Sequence, residues 1–141
     1  MQRDPSERNR LLIEEFRANR GKTTGNFADR PVLLLTTTGA KSGRPYTTPV
    51  MFLPEGERLA IFATHGGSPR HPDWFHNLVA NPTVTVEVGP ETYTAKAVVT
   101  SGAQRDALYA RQSELFPQFG EYQQRTSRVI PVVLLERTDP R

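Results

Sequence analysis

Two short segments carry residue types able to do chemistry. In Gly39-Ala40-Lys41-Ser42-Gly43-Arg44 two cations flank a glycine-bounded polar turn, and backbone N–H groups converging there form a concavity suited to phosphate or carboxylate. The G-x-x-x-x-G-K-[ST] spacing of a nucleotide-binding loop is absent, so a generic glycine turn with surface cations is the plain alternative. Thr64-His65-Gly66-Gly67-Ser68-Pro69-Arg70-His71-Pro72 joins a Gly-Gly pair, an arginine and two imidazoles ahead of an expected helix, whose N-terminal amides and dipole again favour an anion. No metal is expected: His65, His71 and His76 lack the tight i, i+4 pairing with a nearby acid that metalloproteases use. The alternative has His71 capping the helix and His76 on its surface.

Aromatic side chains supply the third ingredient. Trp74 and Phe75 could stack on a planar ring, although aromatics early in a short helix more often anchor a core, and core is expected for one of them. Phe116, Phe119 and Tyr122 lie in the polar segment LFPQFGEYQQRTSR, where pocket wall and ordinary packing are both open readings. Nucleophilic catalysis finds no G-x-S-x-G elbow, and Glu55 and Glu57 fall in an exposed turn rather than facing each other across a cleft. What is left is a site of cations, backbone amides, hydroxyls and aromatics, which binds an anionic planar molecule and leaves the reaction to it.

The elements that must position these residues follow from composition and periodicity. The chain has 141 residues, enough for one core and too few for two, and 36% of them are apolar. No apolar run approaches the roughly 20 residues of a membrane-spanning helix, and the polar start MQRDPSERNR has no secretory h-region, so a cytoplasmic protein is expected. Zero cysteines remove disulfides, thiolate metal sites and thiol nucleophiles. A net charge of +3 favours anionic partners. Nucleic acid is not expected, because the aromatics are not interleaved with cations.

Asp4-Pro5 followed by Glu7 reads as a helix start, with Leu12 and Phe16 on one face and Gly21 as a stop. The stretch GKTTGNFADR, including Lys22, reads as a connection, making residues 1–30 an appendage or lid on a domain spanning 31–141. VLLLTTT, RPYTTPVMFLP and RLAIFAT read as three antiparallel strands, with Pro45 and Pro49 confining the second to an edge or irregular position. Pro72 at the first helical position opens a short helix that Asn81-Pro82 ends. TVTVEV and ETYTAKAVVT form another hairpin around Gly89-Pro90, Ser101 with Gln104 resembles a capping box, a further helical piece starts near Pro117, and RVIPVVLLER is the last strand. Six strands and three or four helices, with hairpins in runs, point to a small antiparallel barrel or roll of α+β type rather than a doubly wound nucleotide fold.

Taken together, LLLTTTGAKSGRPYTTPVMF, FATHGGSPRHPDWFHNLVANPTVTVEVG and RVIPVVLLER resemble the deazaflavin-dependent nitroreductase and quinone reductase family over Val32 to Arg137. The resemblance implies a split β-barrel of the flavin-binding type and coenzyme F-420, whose deazaflavin ring carries a phosphate and an acidic oligoglutamate tail. It implies hydride transfer from C5 of the reduced ring to a quinone or nitroaromatic. By the same resemblance Lys41 falls on the phosphate-contacting lysine, Gly39, Ser42 and Gly43 on its turn, and Pro49 on the proline lining the ring. Thr64, His65, Gly66 and Gly67 match the second cofactor loop with Arg70 nearby, and Trp74 and His76 match the helix. Phe119 and Tyr122 border the acceptor pocket, Phe16 is assigned there with them, and Tyr122 is the expected proton donor or substrate hydrogen bond. Two departures stand out: Tyr46 and His65 occupy positions where many members carry fixed cations, with Arg44 near enough to compensate for the first, and histidine titrates near neutrality. They keep flavin mononucleotide open as the alternative cofactor, and a non-catalytic deazaflavin-binding protein as the alternative function. Any membrane association would be peripheral, and homodimerisation is compatible with the sequence.

Overall fold

A computed structural model describes residues 5–19 and 31–138, with the side chains of 5–8 left aside. Asp4, Gly21, Lys22 and the rest of the expected connection lie outside the described residues. Helix α1 (Pro5–Ala18) precedes three strands, β1 (Val32–Thr38), β2 (Pro45–Glu55) and β3 (Arg58–Phe62); a single 3-10 turn, His65–Gly67, then leads to α2 (Asp73–Ala80). Strands β4 (Thr83–Val88) and β5 (Glu91–Val99), helices α3 (Gly102–Leu115) and α4 (Gln118–Gln124), and β6 (Val132–Arg137) complete the order.

The strands close into a barrel, β1-β2-β3-β6-β5-β4, with every pairing antiparallel. Two non-local pairings do the closing: β1 with β4 (Leu35 opposite Val86) and β3 with β6 (Ile61 opposite Val133). This is the expected α+β split barrel with six strands and four helices.

Side chains alternate across a strand with period two, and the barrel uses both faces. Leu33, Leu35, Ile61, Val84, Val86, Ala95, Val133 and Leu135 form one buried cluster, closed by Trp74 and Leu78 of α2. Ala60, Phe62, Val132 and Leu134, the alternate residues of β3 and β6, join a second cluster with Leu108 and Tyr109 of α3 and Phe119 of α4. Burial on both faces is why RLAIF and VVLL read as near-continuous apolar runs.

Strand β2 explains its prolines. Among the described residues, 45–51 pair with β1 alone, and pairing with β3 begins at Phe52. Pro45 and Pro49 therefore sit where one edge of the strand is open, so their missing N–H groups cost no ladder bond.

Three local expectations shift. Pro72 is the N-cap of α2, not its first helical residue: its φ of −66° suits a helix, but its ψ of 154° is extended. Ser101 is the N-cap of α3 but makes no side-chain cap hydrogen bond, so the capping box does not form. The first helix is more than an appendage, for Phe16 is only 2% exposed and Arg17 makes a two-pronged salt bridge to Glu87, both contacts 2.9 Å. No helix among the described residues is long and apolar enough to cross a membrane.

Candidate functional site

The open edge of β2 faces two neighbouring cavities that share Thr48, Asp73 and Trp74. The larger, about 870 Å³, is bordered by Gly39, Ala40, Lys41 and Ser42, by Tyr46 and Thr47 of β2, and by His76 and Asn77 of α2. The smaller, about 500 Å³, is bordered by Pro49, Val50 and Met51, by Thr64, His65 and Gly66, and by Phe62, Gln118, Phe119 and Tyr122. Asn9 of α1 reaches the smaller cavity.

The turn at the large cavity is self-fastened and then fastened again by α2. Gly39 donates to the Arg44 carbonyl at 2.7 Å, and Gly43, at φ +71°, donates to the Gly39 carbonyl at 3.0 Å. Gly39 must lack a side chain, because a Cβ there would lie 2.5 Å from Ser42 Oγ and 2.8 Å from the Tyr46 ring. The Tyr46 hydroxyl bonds to Ser42 Oγ at 3.1 Å. Asn77 accepts from the Ala40 N–H at 3.0 Å and donates to Thr37 Oγ1 at 3.2 Å, while Asn81 donates to the Thr38 carbonyl at 3.4 Å. Lys41 is exposed and pairs with no carboxylate among the described residues. Its charge is thus available to an anion, whereas the Asp73 carboxylate at the junction steers negative charge away from there and towards the lysine.

The turn at the small cavity is strained. His65 has φ +47°, Gly66 +63° and Gly67 +81°, and a non-glycine residue in the left-handed region is held there by its surroundings. His65 Nδ1 donates to the Arg70 carbonyl at 3.1 Å, since a carbonyl only accepts. Gly67 is buried against α4, where a Cβ would meet the Tyr122 carbonyl at 2.9 Å. The guanidinium of Arg128 donates to the carbonyls of Ser68 (2.9 Å), Ala63 (3.1 Å) and Thr64 (2.8 Å), and to His71 Nδ1 (2.9 Å). As the acceptor, His71 is the neutral Nε2–H tautomer. Burial first, then the Arg128 charge and His76, push its pKa below the usual histidine value.

Tyr122 packs its ring on Phe119 at 5.5 Å, and the Arg125 guanidinium lies 5.8 Å from the tyrosine ring. Helix α4, which carries Tyr122, is anchored by the buried Tyr109 hydroxyl, donating to the Phe119 carbonyl at 2.5 Å. Burial pushes that phenol's pKa up to about 12, although Arg105 and Arg128 pull the other way.

Most of the residues expected from the sequence thus gather on one continuous surface: Gly39, Lys41, Ser42, Tyr46 and His76 at one end, Pro49, Thr64, His65, Gly66, Phe119 and Tyr122 at the other, and Trp74 between. Trp74 combines both readings, being 7% exposed in the core and yet bordering both cavities. Several fall elsewhere. Phe16 borders a separate cavity of about 310 Å³ with Arg17, Glu87 and the β4–β5 turn, and not the smaller cavity that Phe119 and Tyr122 border. Gly43, Arg44, Gly67 and Arg70 border neither shared cavity; Arg44 gives the turn its backbone carbonyl, and its side chain is exposed outside the cavity wall rather than replacing a cation there. His71 is not the helix cap, which is Pro72.

The sequence reading missed Thr48, Asp73, Asn77, Asn9 and Arg128. Asn77 and Asn81 did leave a signal, an i, i+4 amide pair on a helix whose partner is polar. Arg128 left none, because its acceptors are carbonyls about sixty residues away in the chain.

Comparison with known proteins gives a concordant result. A family model described as F420H(2)-dependent quinone reductase matches residues 8–137. An F420H(2)-dependent quinone reductase of Mycobacterium tuberculosis (strain ATCC 25618 / H37Rv) is 45% identical over 114 residues, which is 76% of this chain and 74% of the relative. Among solved structures, an F420-H2 dependent reductase is 41% identical at a TM-score of 0.70, covering 76% of this chain and 95% of its own. A structure described as a domain-swapped dimer is 38% identical at a TM-score of 0.72, covering 94% of this chain and all of its own, 100%.

Proposed function

We propose, since this chain belongs to the F420H(2)-dependent quinone reductase family, oxidoreductases whose coenzyme is reduced F420, that it passes a hydride from that coenzyme to a quinone, or to a nitroaromatic of similar size. The observation that carries the reading is the pair of cavities meeting across Trp74, with a lysine that has no carboxylate partner among the described residues at one end and an aromatic wall at the other.

The residues present fit an anionic coenzyme with a flat ring. Lys41, the exposed Ala40–Ser42 turn and His76 suit the phosphate and acidic tail; Pro49, Thr64, His65 and Gly66 suit the ring; Tyr46, bonded to Ser42, gives a hydroxyl where many family members carry a cation. When bound, the coenzyme supplies the hydride, so the protein's work is placement and electrostatics. Phe119 and Met51 offer an apolar face to an aromatic acceptor and displace water from it. Tyr122, whose hydroxyl bonds to no other described residue, holds a proton in reach of the acceptor oxygen as it gains charge. Absence of cysteine agrees with a cytoplasmic setting, and likeness to the domain-swapped structure supports a homodimer, readable by light scattering.

Fluorescence titration with F420 and with flavin mononucleotide, followed by F420H2 oxidation with menadione and a panel of nitroaromatics, tests this. Tight F420 binding and menadione turnover are expected, with Lys41→Ala weakening F420 by about tenfold at an unchanged melting temperature. Preference for flavin mononucleotide, or F420 binding without turnover of any acceptor, overturns it.

A further inference from the structure

We propose that Arg128 is a positioning residue for the loop from Ala63 to Ser68, its guanidinium fork holding that backbone in the left-handed path that presents Thr64, His65 and Gly66 to the small cavity. The inference rests on the reading that this cavity takes the coenzyme ring.

Arg128 borders neither cavity, so it acts through the loop. It is half-buried and pairs with no carboxylate among the described residues. Instead the carbonyls of Ala63, Thr64 and Ser68, all within 3.1 Å, take its protons, together with His71 Nδ1 at 2.9 Å. A partly desolvated cation compensated by dipoles alone is costly, and here the dipoles belong to one loop. That loop needs holding: His65 has φ +47°, a conformation unfavourable for an L-residue with a side chain. The loop's own bonds, Gly67 N–H to Thr64 O at 2.9 Å and Ser68 N–H to His65 O at 3.0 Å, close only around that turn.

The clamp is itself clamped. Gln123 of α4 donates to the Arg128 carbonyl at 2.7 Å, and its Oε1 accepts from Ile130 N–H at 3.0 Å and from Arg105 at 2.7 Å. Arg105, through Nε, also donates to the Ile130 carbonyl at 3.0 Å. Helices α3 and α4 therefore fix the base of the arginine while its fork fixes the loop. Three carbonyls in different directions match the planar, many-donor guanidinium and not a lysine ammonium.

The test compares the full-length wild type with Arg128→Gln and the charge-preserving Arg128→Lys. Amide hydrogen exchange without coenzyme reads the clamp directly: protection at Gly67 and Ser68 should fall by about tenfold or more in both variants, with β1 and β5 unchanged. F420 affinity should fall by a similar factor, while kcat with menadione at saturating coenzyme stays within about threefold. Wild-type loop protection, or a uniform loss that includes β1 and β5, overturns the proposal; so does a lower melting temperature with unaltered affinity, or full rescue by lysine. Failure of the wild type to bind F420 would strike the functional reading instead, because the exchange measurement needs no coenzyme.

Discussion

Asn77 ties the helix to the glycine-lysine turn: its Oδ1 accepts the Ala40 N–H at 3.0 Å while its Nδ2 donates to Thr37 Oγ1 at 3.2 Å. One amide thus sets the height of Lys41 relative to α2 and β1. Asn77→Ala unpairs the exposed Ala40 N–H and the buried Thr37 hydroxyl, so it should destabilise by about 1–3 kcal/mol. Urea denaturation measures that, and F420 titration should show a larger relative effect than the stability change alone, because the turn loses its fixed position. Unaltered F420 affinity in Asn77→Ala would mean that the turn holds itself.

Gly39→Ala tests the same turn from inside. Gly39 needs no positive φ; its constraint is space, with Ser42 Oγ and the Tyr46 ring in the way of a Cβ. The two nearest obstacles are side chains, so the Ser42–Tyr46 bond breaks, and the Arg44 carbonyl, 3.3 Å from the added Cβ, must shift by a few tenths of an ångström. The expected outcome is a stability loss of about 1–2 kcal/mol from crowding together with weakened F420 binding, and a tyrosine fluorescence change marking the displaced Tyr46.

Acid should loosen the second turn through His71. Its folded-state pKa is lowered by burial and by Arg128, so the unfolded chain binds the proton more readily. The neutral contact contributes fully above the ordinary histidine pKa of about 6.5 and is lost as pH falls below it. Tyr109 sets the opposite limit: with its pKa raised to about 12, its contribution is whole below the unfolded value of about 10 and fades as pH climbs between the two. Thermal melts from pH 5 to 11 should show both slopes, and His71→Gln, which keeps an acceptor for Arg128, should flatten the acid one.

How far the sequence alone reaches can be judged residue by residue. The strands were legible because VLLLTTT and TVTVEV carry period-two or continuous apolar signals over short lengths, and the turns because Gly39–Gly43 and Gly66–Gly67 have few alternatives. A barrel was expected, but the pairings that close it were not legible, since Leu35 opposite Val86 and Ile61 opposite Val133 pair across dozens of residues. The same distance hid Arg128. Phe16 went astray for a different cause: helix periodicity says which face is apolar, not which surface covers it, and the Arg17–Glu87 pair draws that face to the β4–β5 hairpin. Trp74 was undecidable between core and pocket wall because it is buried in the core and borders both cavities.

Tyr122→Phe separates chemistry from binding. The ring is held by Phe119, 5.5 Å away, and by Arg125, 5.8 Å away, neither of which needs the hydroxyl, so folding and F420 affinity should be those of the wild type. The carbonyl that meets the 3-10 turn near Gly67 belongs to the backbone and is untouched by the substitution. On the proposed reading what is lost is a proton beside the acceptor, and general acid help of this kind is worth about 10²-fold or more. Turnover with menadione should therefore fall while coenzyme affinity does not, and the loss should be smallest in acid, where solvent protonates the reduced acceptor unaided. Wild-type kcat in the phenylalanine variant from pH 5 to 9 would leave Tyr122 as wall rather than acid, and would move the search for the proton to Thr64 and His65 across the same cavity.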